Sequence, residues 1–496
     1  MMTILSTLSV VLALLPYMIS ASPSSSSSSP SFVRIPLSRP GTSKTAGSFA
    51  HTADALRLKH GYEPATKNFA KGKRDSSTEV SLQDIKDLTY YATITTGTPP
   101  QSFDVLLDTG TTDFWIGTEA CTTCGSVSPL FDTTSSSSFK TLTSAANITY
   151  NARTVSGMIA QDTITLGSFT VAQQTFPINP VFSVAVNHST NTLANGISGI
   201  MGLAFRPASA FDEAPFWENL VNNNQANNVM SFHYTRAEDN PSNGGAFVLG
   251  GTDSSLYIGQ IEYQPVPEPQ GPTPNYWQLP VTALTVQGKS ISVPTGNAII
   301  DTGSPYLAAP TEVVQSLYAE ISGSQPLTGS NAGFYAYPCS TDVQVTISFG
   351  GTAWAINPKD MNLGTIDLSG DSGSPGSDSG SGSGSSSSSS GSGTGPMSGI
   401  EVRASSQMCV GGIFDIGKSD ARFSISPSWI IGNVFLKNVY TVLEGGIPPN
   451  VGFAKLAGDS STQTGTHLPG AASSNKASNL LALLVPVVAG VMATFF

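Results

Sequence analysis

Two short stretches hold the residues best suited to chemistry. Val105-Leu106-Leu107-Asp108-Thr109-Gly110 is an apolar run ending in Asp-Thr-Gly, and Ala298-Ile299-Ile300-Asp301-Thr302-Gly303 repeats it 193 residues on, from 108 to 301. One such triplet means little. Two copies, each closing a strand-like run, point to duplicated halves that bring one carboxylate apiece to a shared site. Carboxylates a few ångströms apart cannot both ionise cheaply, so the pair shares a proton. The ionised member can take a proton from water while the protonated member polarises a carbonyl. That is direct hydrolysis, which asks for no covalent intermediate, metal or cofactor. Gly110 and Gly303 allow a tight turn close to the carboxylate. Thr109 and Thr302 offer a hydroxyl to the opposite loop and an amide to the Asp, and Thr111 and Ser304 follow as supporting hydroxyls.

The elements that must position these loops read as β-strands. From Thr89 an alternating pattern begins, with Tyr91, Thr93 and Thr95 set against Ala92 and Ile94, and it turns at Gly97-Thr98-Pro99-Pro100. Short strands with turn signals recur to about residue 456. Val, Ile, Thr and Phe runs dominate, only 11% of the 496 residues are charged, and Pro and Gly are too dense for long helices. Short helices are expected near 215–223 and 310–321, where Pro openings precede mixed apolar spacing. The expected architecture is all-β in two related lobes, residues 75–260 around Asp108 and 261–457 around Asp301, flanking a cleft.

Residues 1–21 carry a short apolar core followed by Ile19-Ser20-Ala21, which reads as a signal peptide. Residues 22–74 are Ser-rich and then basic, ending in Lys71-Gly72-Lys73-Arg74. A dibasic pair here marks Lys73 and Arg74 as a processing site. The first 74 residues hold nine Lys/Arg against Asp54 and Glu63, a net of +7, so the remainder carries −18 of the total −11. An acidic body without a basic patch excludes nucleic acid as a partner.

The four cysteines are Cys121, Cys124, Cys339 and Cys409. Cys121-x-x-Cys124 alone is compatible with a redox or zinc half-site, but the βαβ context of the first is missing. The second pair has neither the spacing nor the nearby His that zinc asks for. In a secreted chain two disulfides, Cys121–Cys124 and Cys339–Cys409, are the economical reading. Residues 369–396 are almost all Ser and Gly, a surface insertion between Cys339 and Cys409. Asn147 and Asn187 fit the glycosylation acceptor pattern. After a 458–479 linker, residues 480–496 form an uncharged tail. With small residues at Gly470, Ala471, Ala472, Ser473 and Ser474 before it, this matches a GPI signal. The expected location is the extracellular face of the membrane or the cell wall.

Between about Tyr91 and Ala454 the chain resembles the pepsin-like aspartic proteases. Tyr91 to Gln101 is similar to the first strand and turn of that family. Asp108-Thr109-Gly110 and Asp301-Thr302-Gly303 match its two active-site loops. Ile148-Thr149-Tyr150 followed by Gly157 to Asp162 matches the flap hairpin, placing Tyr150 at the flap tyrosine and Trp115 at its indole partner. Ile197 to Leu203 and Ile430 to Leu436 resemble the apolar Gly motifs behind each Asp loop, and the cysteine placement fits the family's two disulfides. The resemblance implies a bilobal β fold and a cleft that binds an extended peptide beneath a flap. It also implies a basic pro-segment that blocks the cleft at neutral pH and leaves in acid. A monomeric acid endopeptidase follows, with Asp108 and Asp301 as its catalytic pair. The sequence departs from the family at Asp113, at Asn151 and Arg153 near the flap tip, and at Ser304-Pro305-Tyr306, which puts subsite geometry rather than the Asp pair in doubt. A catalytically dead peptide or glycan binder on the same fold is the competing reading. It is disfavoured because both Asp and the flap Tyr are present.

Overall fold

The computed structural model describes residues 32–39, 49–65, 89–121, 127–150, 153–182, 196–240, 243–267, 274–366, 368, 407–419 and 428–458. The expected signal peptide, Lys73-Arg74, Cys124, Asn187, the 369–396 insertion, Gly470 to Ser474 and the 480–496 tail lie outside them.

Gln101–Asp108 shows why the first loop sits where it does. Its burial alternates at first, then Val105 to Asp108 are buried without a break, as in a strand that runs from a half-exposed edge into the centre of a packed sheet. It pairs antiparallel with Tyr91–Thr96 and parallel with Gly199–Gly202, Asp108 lying opposite Gly202. Gly199–Gly202 also pairs antiparallel with Trp115–Ile116, the strand that leaves the Asp108 loop. A strand from far along the chain therefore threads between the entry and exit of that loop. The long strands Phe169–Phe182, Arg153–Leu166 and Lys140–Tyr150 complete a seven-stranded sheet.

The second half repeats this plan. Asn297–Ile300 enters the Asp301 loop, Leu307–Ala309 leaves it, and Trp429–Ile431 threads between, parallel to the first and antiparallel to the second. Gln278–Pro280 and Ile413–Asp415 extend this to five strands. Two further four-stranded sheets flank it. One contains Tyr335–Pro338 paired with Met408–Gly411, and beside this pair the Cys339–Cys409 disulfide closes, with Cα atoms 5.0 Å apart. Cys121 is also disulfide-bonded.

A six-stranded sheet draws on both halves, in the order Val33–Leu37, Gly245–Leu249, Val229–Tyr234, Tyr440–Glu444, Asn450–Leu456, Tyr257–Pro265. The expected 260/261 division thus falls inside a strand of this common platform. Aromatic packing joins the halves behind the site. Trp277 Nε1 donates to the Leu203 carbonyl at 2.9 Å, and the Phe205 and Trp277 rings lie 4.3 Å apart. Leu203 in turn donates its amide to the Asp108 carbonyl at 2.8 Å. The helices expected behind Pro-led openings form at Phe216–Asn222 and Thr311–Ala319. No helix among the described residues is long and apolar enough to cross a membrane.

Candidate active site

Both Asp side chains are buried at the meeting of the two loops. The Gly110 amide donates to Asp108 Oδ1 at 2.9 Å and the Gly303 amide to Asp301 Oδ1 at 3.0 Å. Each glycine also stands against the opposite carboxylate. A Cβ on Gly110 would lie 2.5 Å from Asp301 Cγ, and one on Gly303 would lie 2.5 Å from Asp108 Cγ. The approach of the two carboxylates depends on those missing methyl groups.

The threonines weld the loops together. Thr109 Oγ1 donates to the Ile300 carbonyl at 2.6 Å and accepts the Thr302 amide at 3.0 Å. Thr302 Oγ1 does the same in reverse, donating to the Leu107 carbonyl at 2.7 Å and accepting the Thr109 amide at 3.0 Å. The hydroxyls cross to the partner loop as expected. The expected amide contact is corrected: each Thr amide serves the opposite hydroxyl, and the Gly amide one residue on reaches the Asp, because the turn points that N–H inward. Ser304 Oγ donates to the Tyr306 carbonyl at 3.0 Å, holding the second loop's exit, and the Thr111 carbonyl accepts the Ala204 amide at 2.9 Å.

Asp113 is braced rather than solvated. It accepts from Ser209 Oγ at 2.6 Å and from the Ala210 amide at 2.9 Å. Burial pushes its carboxyl up to about 6 against the pull of those two donors. Trp115 is buried in a small cluster with Val127 and Ile197, Tyr91 and Ile200 packing alongside. Lys140–Tyr150 and Arg153–Leu166 form the hairpin read as a flap, with Tyr150 opposite Arg153. The side chains of Tyr150, Asn147 and Arg153, like residue Asn151, lie outside the described set.

One cation stands between the carboxylates. The helix Phe49–Lys59 ends at the site, and Lys59 Nζ donates to Asp108 at 2.8 and 2.9 Å and to Asp301 at 3.1 and 3.0 Å. His60 Nε2 lies 2.8 Å from Asp301 Oδ2, and its ring meets Tyr276 edge-on. The sequence marked this segment by its charge but singled out neither residue. Which of nine cations arrives depends on where the helix stops, and composition does not carry that.

The electrostatics are asymmetric. Burial raises the Asp108 carboxyl to about 7, the charge of Asp301 adding to it and Lys59 opposing. Asp301 is also pushed up by burial, but Lys59 and His60 together outweigh that and hold it well below the usual carboxylate range. Lys59 loses from burial and gains more from the two carboxylates, so its ammonium form is favoured. With Lys59 and His60 in place, the pair therefore stands as one protonated and one ionised carboxyl.

Residues 89–372 match the model of the eukaryotic aspartyl protease family. The chain is 32% identical over 415 residues to major aspartyl peptidase 1 of Cryptococcus neoformans var. grubii, an alignment covering 80% of this chain and 74% of that protein. It is 28% identical over 360 residues to an aspartic protease of Phaffia rhodozyma, covering 72% and 74%. Pepsin-3 of Oryctolagus cuniculus is 29% identical over 281 residues, covering 55% and 69%. With two threaded Asp loops meeting on one platform and these relatives, the chain belongs to the eukaryotic aspartyl protease family and is a pepsin-like aspartic endopeptidase.

Proposed function

We propose that Asp108 and Asp301 are the catalytic pair of an acid endopeptidase made as a zymogen, with residues 22–74 as its removable leader. With the leader gone, one carboxyl of the pair takes a proton from the attacking water while the other, protonated, donates to the substrate carbonyl. Lys59 is the lock. The observation that carries this reading is the ammonium group within 3.1 Å of all four carboxylate oxygens, where the water and the scissile carbonyl would otherwise sit.

A cation in that place fixes both carboxylates and excludes the nucleophile, so the intact chain is inactive until the leader moves. The strand Val33–Leu37 adds main-chain pairing with Gly245–Leu249, and Arg34 meets Asp253 at 3.1 Å. Cleavage near Lys73-Arg74 makes departure permanent. The signal-peptide-like start and GPI-like tail support a cell-surface enzyme acting on extended peptides, with Tyr150 and Trp115 as its lid. Asp108→Asn and Asp301→Asn should each lower kcat by at least about a thousandfold with the fold retained, as for loss of a principal acid or base. Acid cleavage of a protein substrate, alongside inhibition by a statine-type transition-state mimic, checks this. Full activity in either variant would overturn the assignment.

A further inference from the structure

Arg57 is a fully buried cation of the leader, and most of its site belongs to the enzyme body. Its Nε donates to the carbonyls of Asp415 at 3.2 Å and Ile416 at 3.3 Å, and Nη2 donates to the Asp415 carbonyl as well. The Phe414 ring lies 5.0 Å from the guanidinium carbon, within cation–π range. Gly333 leaves the room for it, since a Cβ there would stand 2.2 Å from Nη2. Asp54, 2.6 Å from Nη1, is the partner that the leader itself brings.

The neighbouring body residues hold the leader's main chain. The Glu63 amide donates to the Lys418 carbonyl at 3.1 Å, and Tyr62 makes an antiparallel bridge to Ser419. Residues 414–419 therefore accept both a peptide backbone and a planar forked cation. Lys59, two residues beyond Arg57, reaches the Asp pair. Both residues leave the last turn of the helix Phe49–Lys59, where Cα atoms two positions apart are separated by about 5 Å, so the slot lies within two long side chains of the scissile position.

We propose that, once the leader has gone, this slot is a substrate subsite selecting arginine. The inference rests on the endopeptidase and leader-release reading above. A guanidinium suits the slot better than an ammonium, because its flat fork can serve two carbonyls while its face lies near the Phe414 ring. Asp54 offsets the cost of charge burial while the helix seals the slot. With the helix gone the slot opens to water, and an incoming arginine keeps enough hydration to do without that carboxylate. The body's net −18 favours the approach of cationic peptides.

The test uses the full chain activated in acid and a parent peptide that it cleaves. Arginine is placed at each position on either side of the scissile bond, with citrulline, its uncharged near-isostere, as the control at the same position. One position should gain about tenfold in kcat/KM for arginine over citrulline, the value of a charge-assisted hydrogen bond. Gly333→Ala should erase that gain. Equal rates for the two residues at every position would overturn the proposal, and so would an advantage that persists undiminished in Gly333→Ala. Cleavage of the parent peptide, read in the same assay, reports separately on the proteolytic reading.

Discussion

At Gly110 and Gly303 a hydrogen stands where another residue would carry a methyl group, and each of those hydrogens faces the opposite carboxylate. Gly303→Ala should therefore push Asp108 off its position, because the new Cβ would lie 2.5 Å from its Cγ with buried backbone behind it. A displacement of about 1 Å costs roughly a hundredfold in rate. Steady-state cleavage at pH 4 should show that loss in kcat, with KM little changed, since the substrate's remote contacts survive. The same scale explains why two carboxyls of one chemical type diverge. Both pay burial, but His60 and Lys59 converge on Asp301, while Asp108 keeps the smaller share of positive charge and the repulsion of its partner.

Between elements, a buried ion cluster fastens the two halves away from the site. Arg236, just past the strand Val229–Tyr234, donates to Asp360 from Nη2 at 2.6 Å. Lys437 Nζ meets the same carboxylate at 2.7 Å, and Asn438 Nδ2 donates to it at 3.0 Å. Burial alone would raise the Asp360 pKa, but Lys437 and Arg236 outweigh it and hold the value below the ordinary range. The sign follows from that direction. A depressed folded pKa gives stability that is present above the unfolded value near 4 and is lost as pH falls through the lower folded value. The cluster thus stays ionised through moderately acid conditions. Asp360→Asn leaves two buried cations short of a counter-charge and should cost about 3–5 kcal/mol at pH 7. Urea unfolding should show this, with the gap to wild type narrowing toward pH 2.

For the whole molecule, on the proposed zymogen reading, some of the leader's cations meet the body at backbone carbonyls rather than at carboxylates. Arg39 donates to the carbonyls of Thr235 at 2.6 Å and Asn243 at 2.8 Å, and Arg57 to those of Asp415 and Ile416, none of which titrates. Acid sensitivity is concentrated at Lys59. On that zymogen reading, as pH falls through about 7 Asp108 takes up its proton and Lys59 retains one charged partner, so its hold weakens while Asp301, held low, is still ionised. Lys59→Gln should release the leader faster at pH 7 and flatten the pH dependence. The onset of peptide cleavage after a jump from pH 8 to a series of lower values measures both. Wild type should show an onset that quickens as the final pH drops below 7. An unchanged profile in the variant would remove Lys59 from the mechanism.

The strand alternation from Tyr91, the apolar runs before each Asp and the recurrence of Asp-Thr-Gly were enough to expect an all-β duplicated fold that brings two carboxylates together. Those features are local, because a side chain's alternation and a turn's need for glycine are set by nearest neighbours. Three things were decided only by the tertiary structure. The Thr hydroxyls cross between loops 193 positions apart, so their partners are chosen by how the halves dock. Asp113 turned out to be a braced, half-buried acid because the 209–210 segment folds back on it. Lys59 rather than another of the leader's cations meets the carboxylates because the helix ends there, and a charge count cannot say where a helix ends. The sequence alone set which groups could react, while their distances, burial and proton sharing came from contacts between residues far apart in the chain.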